Sequence, residues 1–154
     1  MEGDVVAVER CIPAGPAAIF ALVADAARHP DIDGSGTVLQ VKAGAPQKLR
    51  LGTSFGMSMK RGMAYSMVST VIEYEEDRRI AWQSRPPGFF GKLAGGRIWR
   101  YELEPVEGGT LVRESWDISQ DHQRALLRMG SEDKRTAESM AKTLEKIEGI
   151  VTAD

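Results

Sequence analysis

A long run of alternating apolar and polar residues, followed by one amphipathic helix, constrains the fold of this 154-residue chain more than any other feature. The alternating segments, separated by turn residues, are 49–59, 63–75, 79–85, 96–105 and 110–119. This pattern is typical of antiparallel strands that bury one face. In 131–151 the apolar residues recur at helical spacing instead. Because no other long element is evident, we expect this helix to cover the apolar face of the sheet.

The first forty residues add a strand and a short helical region. Residues 5–12 are β-branched and alternating, which predicts a strand. The stretch 16–29 carries a helical apolar stripe, and Pro30 is expected to end it, because the residue before a proline disfavours the helical conformation. Residues 37–42 predict another short strand. We therefore expect one α+β domain over 1–154: a curved antiparallel sheet of about six or seven strands, one or two short helices after the first strand, and the long C-terminal helix.

Composition excludes several classes of function. The net charge is −2 and both signs are spread along the chain, so the sequence has no basic footprint for nucleic acid. The single cysteine, Cys11, cannot form an intramolecular disulfide, which fits a reducing compartment. The N-terminal residues MEGDVVAVER do not resemble a signal peptide, and no apolar run is long enough to span a membrane. We expect a cytoplasmic protein that neither binds nucleic acid nor inserts into a membrane.

Hairpin geometry places the alternating apolar residues on one face of the sheet, because opposed residues in a hairpin are equally distant from its turn. A turn centred on Arg61 would pair Met59 with Met63. Turns in the later loops place three tryptophans, spaced evenly along the chain, on one rung of three adjacent strands: Trp82, Trp99 and Trp116. The same pairing puts Glu114 opposite Tyr101.

The predicted inner face is rich in methionine and aromatic side chains. The residues expected to line it, including two from the terminal helix, are Phe55, Met57, Met59, Met63, Met67, Trp82, Trp99, Trp116, Met140 and Leu144. One interpretation is a filled core in which methionine fits irregular gaps. The other is a cavity between sheet and helix that accepts flat or apolar ligands of variable shape. The residues alone leave both interpretations open.

Three segments carry a resemblance to a known family. VERCIPAGPAAIFALVADAARHPDID, EDRRIAWQS and WRYELEPVEGGTLVRESWD, with the terminal helix, resemble the SRPBCC superfamily of START-related proteins. The likeness covers 5–150 and is greatest to the polyketide cyclase/dehydrase branch, which is widespread in actinobacteria. This resemblance implies a helix-grip fold with a deep apolar cavity between sheet and helix. In aromatase/cyclase relatives an arginine and a tyrosine orient the polyketide, which suggests Arg97 with Tyr65 or Tyr101 here.

Four polar side chains predicted on the inner face are candidates for chemistry. Glu114 would lie among apolar neighbours, where desolvation raises a carboxyl pKa and suits a general acid or base; a structural pair with Tyr101 is the alternative. Arg97 could neutralise an enolate or carboxylate, or simply lie on the surface where a loop ends. Tyr65 and Tyr101 could orient a ligand carbonyl, or serve only as amphipathic core residues.

The segment RHPDIDGSG contains His29, Asp31 and Asp33. In the helix-grip fold this loop lies at the mouth of the cavity, so the resemblance makes these residues candidates for ligand contact. A turn-capping role for the two aspartates is the alternative. No second His or Cys lies at metal-ligand spacing, and the sequence has no phosphate loop, dinucleotide fingerprint or nucleophile elbow. We expect neither a metal nor a cofactor.

The leading functional hypothesis is binding of a hydrophobic small molecule, lipid-like or polyketide-like, in a cavity between the sheet and the C-terminal helix. One alternative is a polyketide cyclase or dehydratase in which the cavity Arg, Tyr or Glu moves protons. Another is a ligand-free homodimeric interaction module whose interior is filled by its own side chains. The sequence has no strong catalytic motif, so whether the chain is an enzyme stays open.

Overall fold

A computed structural model describes residues 3–41 and 48–153, in which seven strands form one antiparallel sheet. The strands are β1 (Val5–Ile12), β2 (Val38–Val41), β3 (Ser54–Arg61), β4 (Met63–Glu75), β5 (Arg79–Arg85), β6 (Arg97–Val106) and β7 (Gly109–Asp117). Their order across the sheet is β1-β7-β6-β5-β4-β3-β2. The sheet is therefore a meander of six strands with β1 added beside β7. The turn predicted after β2 falls on 42–47, outside the described residues.

The described residues also form four α-helices: α1 (Pro16–Val23), α2 (His29–Ile32), α3 (Arg124–Met129) and α4 (Glu132–Val151). The prediction of one helix over 16–29 is wrong, because α1 ends at Val23 and a 3-10 turn separates it from α2. Pro30 does not end a helix but stands in the first turn of α2. Proline is accepted there because the first N–H groups of a helix have no intrahelical partner.

Helix α4 lies on the inner face of the curved sheet and makes its sheet contacts with β1 and β7. It buries Met140, Leu144 and Ile147 there. Helix α1 packs against β6 and α4, and α2 packs against β2 and α4. This arrangement confirms the predicted helix-grip fold, in which the sheet wraps around the long C-terminal helix.

The loop between α2 and β2 is held tightly against α4. The backbone N–H of Gly34 donates to Thr143 Oγ1 at 2.8 Å. A Cβ atom at Gly34 would overlap the backbone of Ser139, so the loop can approach the helix this closely only with glycine at that position. Lys146 Nζ adds a bond to the backbone oxygen of Asp33 at 2.9 Å.

The strand registers confirm most of the predicted pairs. Trp99 faces both Trp82 and Trp116, and Tyr101 faces Glu114. In the β3–β4 hairpin the prediction is wrong by one position, because the turn centres on Gly62, whose φ is 78°. Glycine enters this left-handed region at little steric cost. Pairing moves by two residues as a result, which leaves every side chain on its predicted face.

An irregularity in β4 changes one part of the inner face. The register shifts between Val71 and Glu73, so that Tyr74, rather than Glu73, shares a face with Val71. Tyr74 pairs with Ile80, and its ring lies edge-on to Phe20 of α1, with centroids 5.6 Å apart. The bulge thus places an aromatic ring where strict alternation would place a carboxylate.

Candidate functional site

The inner face of the sheet divides into two parts that differ in their exposure to solvent. We call the first the closed segment; it consists of the buried residues Phe55, Met57, Val71, Ile80, Trp82 and Tyr101. We call the second the open segment; it consists of Met59, Met63, Tyr65 and Met67 at the end of the β3–β4 hairpin. Met59 and Met67 are half-buried, whereas Tyr65 is 40% and Met63 75% exposed. Met63 therefore lies at the rim of the inner face and not in its interior, where it was predicted.

Aromatic contacts from α2 seal the closed segment. The imidazole of His29 stacks on Trp82, with ring centroids 4.8 Å apart, and meets Phe55 edge-on at 5.5 Å. Its Nε2 lies 2.8 Å from the backbone oxygen of Val23. Burial lowers the pKa of His29, so the ring is neutral at pH 7. No pattern in the sequence signals this stacking, because His29 is the last residue of the predicted helix 16–29 and lies outside its apolar stripe.

This packing corrects the expectation that His29 lies at the mouth of a cavity. His29 is only 5% exposed and belongs to the core. Asp31 is exposed and accepts a hydrogen bond from Arg28 Nε at 2.8 Å. Asp33 accepts from the backbone N–H groups of Ser35 and Val38, which is the turn-capping role named as the alternative.

The predicted tryptophan rung contributes to both apolar clusters of the interior. Trp82 belongs to the larger cluster, around the closed segment. Trp116 belongs to the smaller one, with Ile118 and Met140. Trp99 is half-buried and contacts both clusters, and its ring centroid is 6.4 Å from that of Trp116. The two clusters thus meet at Trp99, on β6 in the middle of the sheet.

Glu114 is the most unusual polar group of the inner face. Its Oε1 accepts a hydrogen bond of 2.9 Å from Tyr101 Oη. Its Oε2 is buried and has no hydrogen-bond partner among the described residues. Along β7, Glu114 stands between Val112 of the larger cluster and Trp116 of the smaller one. A buried oxygen without a partner costs free energy unless another group satisfies it, so it marks a place where a ligand atom is favoured.

Burial dominates the electrostatics of this pair. It raises the pKa of the Glu114 carboxyl to about 8; the hydrogen bond from Tyr101 opposes this effect, and the negative charge of Asp33 adds to it. Burial and the neighbouring Glu114 also raise the pKa of Tyr101 well above its ordinary value. At pH 7 both groups are therefore mainly protonated, and Glu114 can donate a hydrogen bond as well as accept one.

The other two predicted polar groups are arranged differently. Arg97, the first residue of β6, donates from Nε to Asp121 Oδ2 at 3.1 Å, and the Asp121 side chain is fully buried. Its charge is thus compensated by a carboxylate that sequence reasoning did not identify, in the loop after β7. Tyr65 lies in the open segment at the end of the sheet. The structure brings Glu114 and Tyr101 together but gives no contact between either of them and Arg97 or Tyr65.

One ion pair joins the end of the β3–β4 hairpin to the start of α4. Both terminal nitrogens of Arg61 donate to the carboxylate of Glu132, at 2.7 and 3.0 Å. Arg61 ends β3 and Glu132 begins α4, so the pair connects the hairpin to the helix, whose main contacts with the sheet are at β1 and β7. The sequence separation of 71 residues hid this bidentate contact from sequence analysis.

A groove of about 310 Å³ lies elsewhere, and its lining is mainly charged. Its walls include Arg79 and Glu102, which pair with each other, and Arg113, which pairs with Glu9. These side chains are on the opposite face from Glu114, and their charges do not suit an apolar ligand. In the part of the chain that the structure describes, no three His, Cys, Asp or Glu side chains form a group that could hold a metal ion. None of the described helices is long and apolar enough to cross a membrane.

These features define a helix-grip protein whose apolar inner face carries the buried carboxyl of Glu114. Comparison with known proteins agrees: the chain belongs to the family of polyketide cyclase/dehydrase and lipid transport proteins, whose model matches residues 4–148. The family's description points to hydrophobic ligands. It names both an enzymatic activity and a transport activity, and so does not assign one to this chain.

Relatives and solved structures support the fold in the same way. Uncharacterized protein Rv0088 of Mycobacterium tuberculosis is 37% identical over 107 residues, which are 68% of this chain and 43% of that protein. The chain thus matches less than half the length of this curated relative. Protein Ms6760 of Mycobacterium smegmatis has a TM-score of 0.73 at 14% identity, covering 96% of this chain and 90% of that one. The Aha1 dimer of Colwellia psychrerythraea has a TM-score of 0.68 at 14% identity, covering 96% and 95%.

Proposed function

We propose that this protein binds a predominantly apolar small molecule between the inner face of its sheet and α4, and that Glu114 and Tyr101 orient it. The observation that carries the proposal is the buried Glu114 Oε2, which has no partner among the described residues. A ligand with one carbonyl or hydroxyl oxygen in an apolar frame would satisfy that carboxyl and bury its remaining surface against apolar side chains.

The ligand's path is proposed to begin at the open segment. Met59 and Met67 are half-buried there and are flexible, polarisable side chains that adapt to ligands of varied shape. Trp99, half-buried as well, packs against both apolar clusters, between which Glu114 stands on β7. Entry beside the Arg61–Glu132 pair would bring a ligand to the carboxyl without displacing the closed segment.

The first test is native mass spectrometry of gently purified protein, followed by organic extraction. A retained apolar molecule bearing a carbonyl or hydroxyl group is the expected result. In parallel, the fluorescence of N-phenyl-1-naphthylamine should increase on binding, and Met67→Glu should weaken its affinity by at least about tenfold, because a charge on the inner face is costly to bury.

Ile72→Glu is the matched control for that variant. It adds the same charge to the same strand, at an exposed position within the β4 irregularity. It should leave the probe affinity unchanged. A protein that retains no small molecule and does not bind the probe has a filled interior, and this result would contradict the proposal. A homodimeric interaction module, which stays a prediction, would then be tested by sedimentation at several concentrations.

The alternative of a cyclase or dehydratase is favoured by one observation, the Glu114–Tyr101 hydrogen bond in an apolar site. A carboxyl group with a pKa of about 8 can transfer a proton to or from a bound carbonyl compound near neutral pH. Once a ligand is extracted, Glu114→Gln separates the two functions. An enzyme should lose turnover by about a hundredfold or more while it still binds, whereas a binding protein should show a modest change in affinity.

A further inference from the structure

One end of the molecule combines exposed apolar side chains with positive charge. Val5, Asp117, Ile98 and Gln83 form one row across four antiparallel strands, close to one end of each strand. The loops just beyond this row therefore lie at the same end of the sheet. We call it the basic end and define it by three segments: the β3–β4 turn region 58–65, the β5–β6 connection 85–97, and 121–135, which contains α3 and the start of α4.

Hydrogen bonds connect these three segments into one surface. The backbone N–H of His122 donates to the Gly95 oxygen, and the Gly95 N–H donates to Gln123 Oε1, both at 2.9 Å. The Arg61–Glu132 pair ties the hairpin to the start of α4. The basic end therefore surrounds the opening proposed for the ligand.

Large apolar side chains are exposed on all three segments. They are Met63, Phe89, Phe90, Leu93, Leu126 and Met129, each between 57% and 83% exposed. Phe89 and Phe90 form an edge-to-face pair in a 3-10 turn with no buried residue, so neither ring anchors the loop to the core. A soluble protein rarely presents such a concentration of apolar surface without a partner for it.

Charge distinguishes the partner. The three segments contain nine Lys or Arg and three Asp or Glu, a net charge of +6 in a chain whose total is −2. The rest of the chain therefore carries −8. Asp4 forms ion pairs with Arg124 and Arg128 and so lowers this positive net charge by one. Lys60 and Lys92 remain exposed to solvent. Apolar side chains amid positive charge match a surface that offers acyl chains beneath negative head groups.

We infer that the basic end docks peripherally on a bilayer that contains anionic phospholipid, with Phe89, Phe90 and Leu93 entering the head-group region. The net charge of −8 on the remaining chain favours this orientation, because an anionic surface repels it. This inference goes beyond the proposed small-molecule binding and does not depend on it, since docking is measured without any added ligand.

The experiment is co-sedimentation of the full chain with phosphatidylcholine vesicles, with and without about 30 mol% phosphatidylglycerol. We expect binding to the anionic vesicles and little to the neutral ones, and a decline as salt rises from about 0.1 M to about 0.5 M. Phe89→Ser with Phe90→Ser should weaken binding by about tenfold, because the rings no longer enter the interface. Lys60→Glu with Lys92→Glu should weaken it by at least about fivefold per charge site.

Each variant has a control at the other end of the sheet. Leu51→Ser with Val106→Ser removes exposed apolar side chains there, and Arg50→Glu with Arg78→Glu reverses two exposed charges. Neither pair should change vesicle binding. Since all these positions are exposed, circular dichroism should show the native fold in every variant.

Three results would overturn the inference. Absence of binding to anionic vesicles would leave an acidic protein, rather than a membrane, as the partner for this end. Equal loss of binding in the control variants would show that the contact does not depend on the basic end. Equal binding to neutral vesicles would show that it does not depend on charge.

Discussion

The closed and open segments lie on the same face of the same sheet, yet one is core and the other meets solvent. The closed segment takes residues from β3 to β6 and the open segment from β3 and β4, and both include methionine and aromatic residues. They differ in what covers them. His29 and α1 seal the first, whereas α4 contacts the sheet at β1 and β7 and reaches the hairpin end through the Arg61–Glu132 pair. A strand pattern thus determines which face a residue occupies, but the elements that pack on that face determine its burial.

The largest expected difference between the two segments is in stability. Trp82→Ala should lower the free energy of unfolding by about 3–5 kcal/mol, because it leaves a cavity beneath His29 and Phe55. Met63→Ala, at a position 75% exposed, should change it by less than about 0.5 kcal/mol. Urea denaturation monitored by circular dichroism measures both values. Comparable losses in the two variants would show that the open segment is packed as tightly as the closed one.

The contrast also shows how far sequence reasoning reached. The pairs Trp99–Trp116 and Tyr101–Glu114 were predictable because a short turn and strict alternation determine a register, and Trp82–Trp99 followed from centring the longer loop before β6. The environment of Glu114 followed from its place on that register. The stacking of His29 on Trp82, the Arg97–Asp121 pair and the Arg61–Glu132 pair were not predictable, because each joins residues that no local pattern relates.

Glu114, which stands between the two apolar clusters, should make the stability of the protein depend on pH. Its pKa is raised to about 8 in the folded protein and is near 4.5 in the unfolded chain. The folded state therefore binds more protons in this interval, and stability falls as pH rises through it. Between pH 6.5 and 8 the loss should be about 2 kcal/mol. Urea denaturation at both pH values should show this decline in the wild type and not in Glu114→Gln.

Glu104→Gln is a suitable control for that measurement, since Glu104 is an exposed carboxylate on neighbouring β6. Its pH dependence should equal that of the wild type. An unchanged decline in Glu114→Gln would mean that another group causes it, and that the Glu114 carboxyl is already ionised in the folded protein.

His29 should produce an effect of opposite sign in the closed segment. Burial lowers its pKa in the folded protein, so below pH 6.5 the unfolded chain takes up the proton first and stability falls as pH falls. This loss begins as the pH falls through 6.5, the ordinary pKa of histidine, and the Glu114 effect opposes it in the same interval. On acidification, the free energy of unfolding of His29→Phe should therefore increase more than that of the wild type. His122→Phe, which alters an exposed histidine, should behave like the wild type.

The Arg61–Glu132 ion pair should have the smallest effect on stability. Its removal should instead change the rate at which a ligand binds. Arg61 and Glu132 are partly exposed, so Arg61→Gln should change the free energy of unfolding by less than about 1 kcal/mol. If ligands enter between the open segment and α4, the same change should raise the association rate of N-phenyl-1-naphthylamine severalfold in stopped-flow fluorescence. Arg113→Gln removes a comparable exposed pair with Glu9 on the outer face and should leave that rate unchanged. An unaltered rate in Arg61→Gln would mean that ligands reach the inner face by another path, and that the pair only fastens the hairpin to the helix.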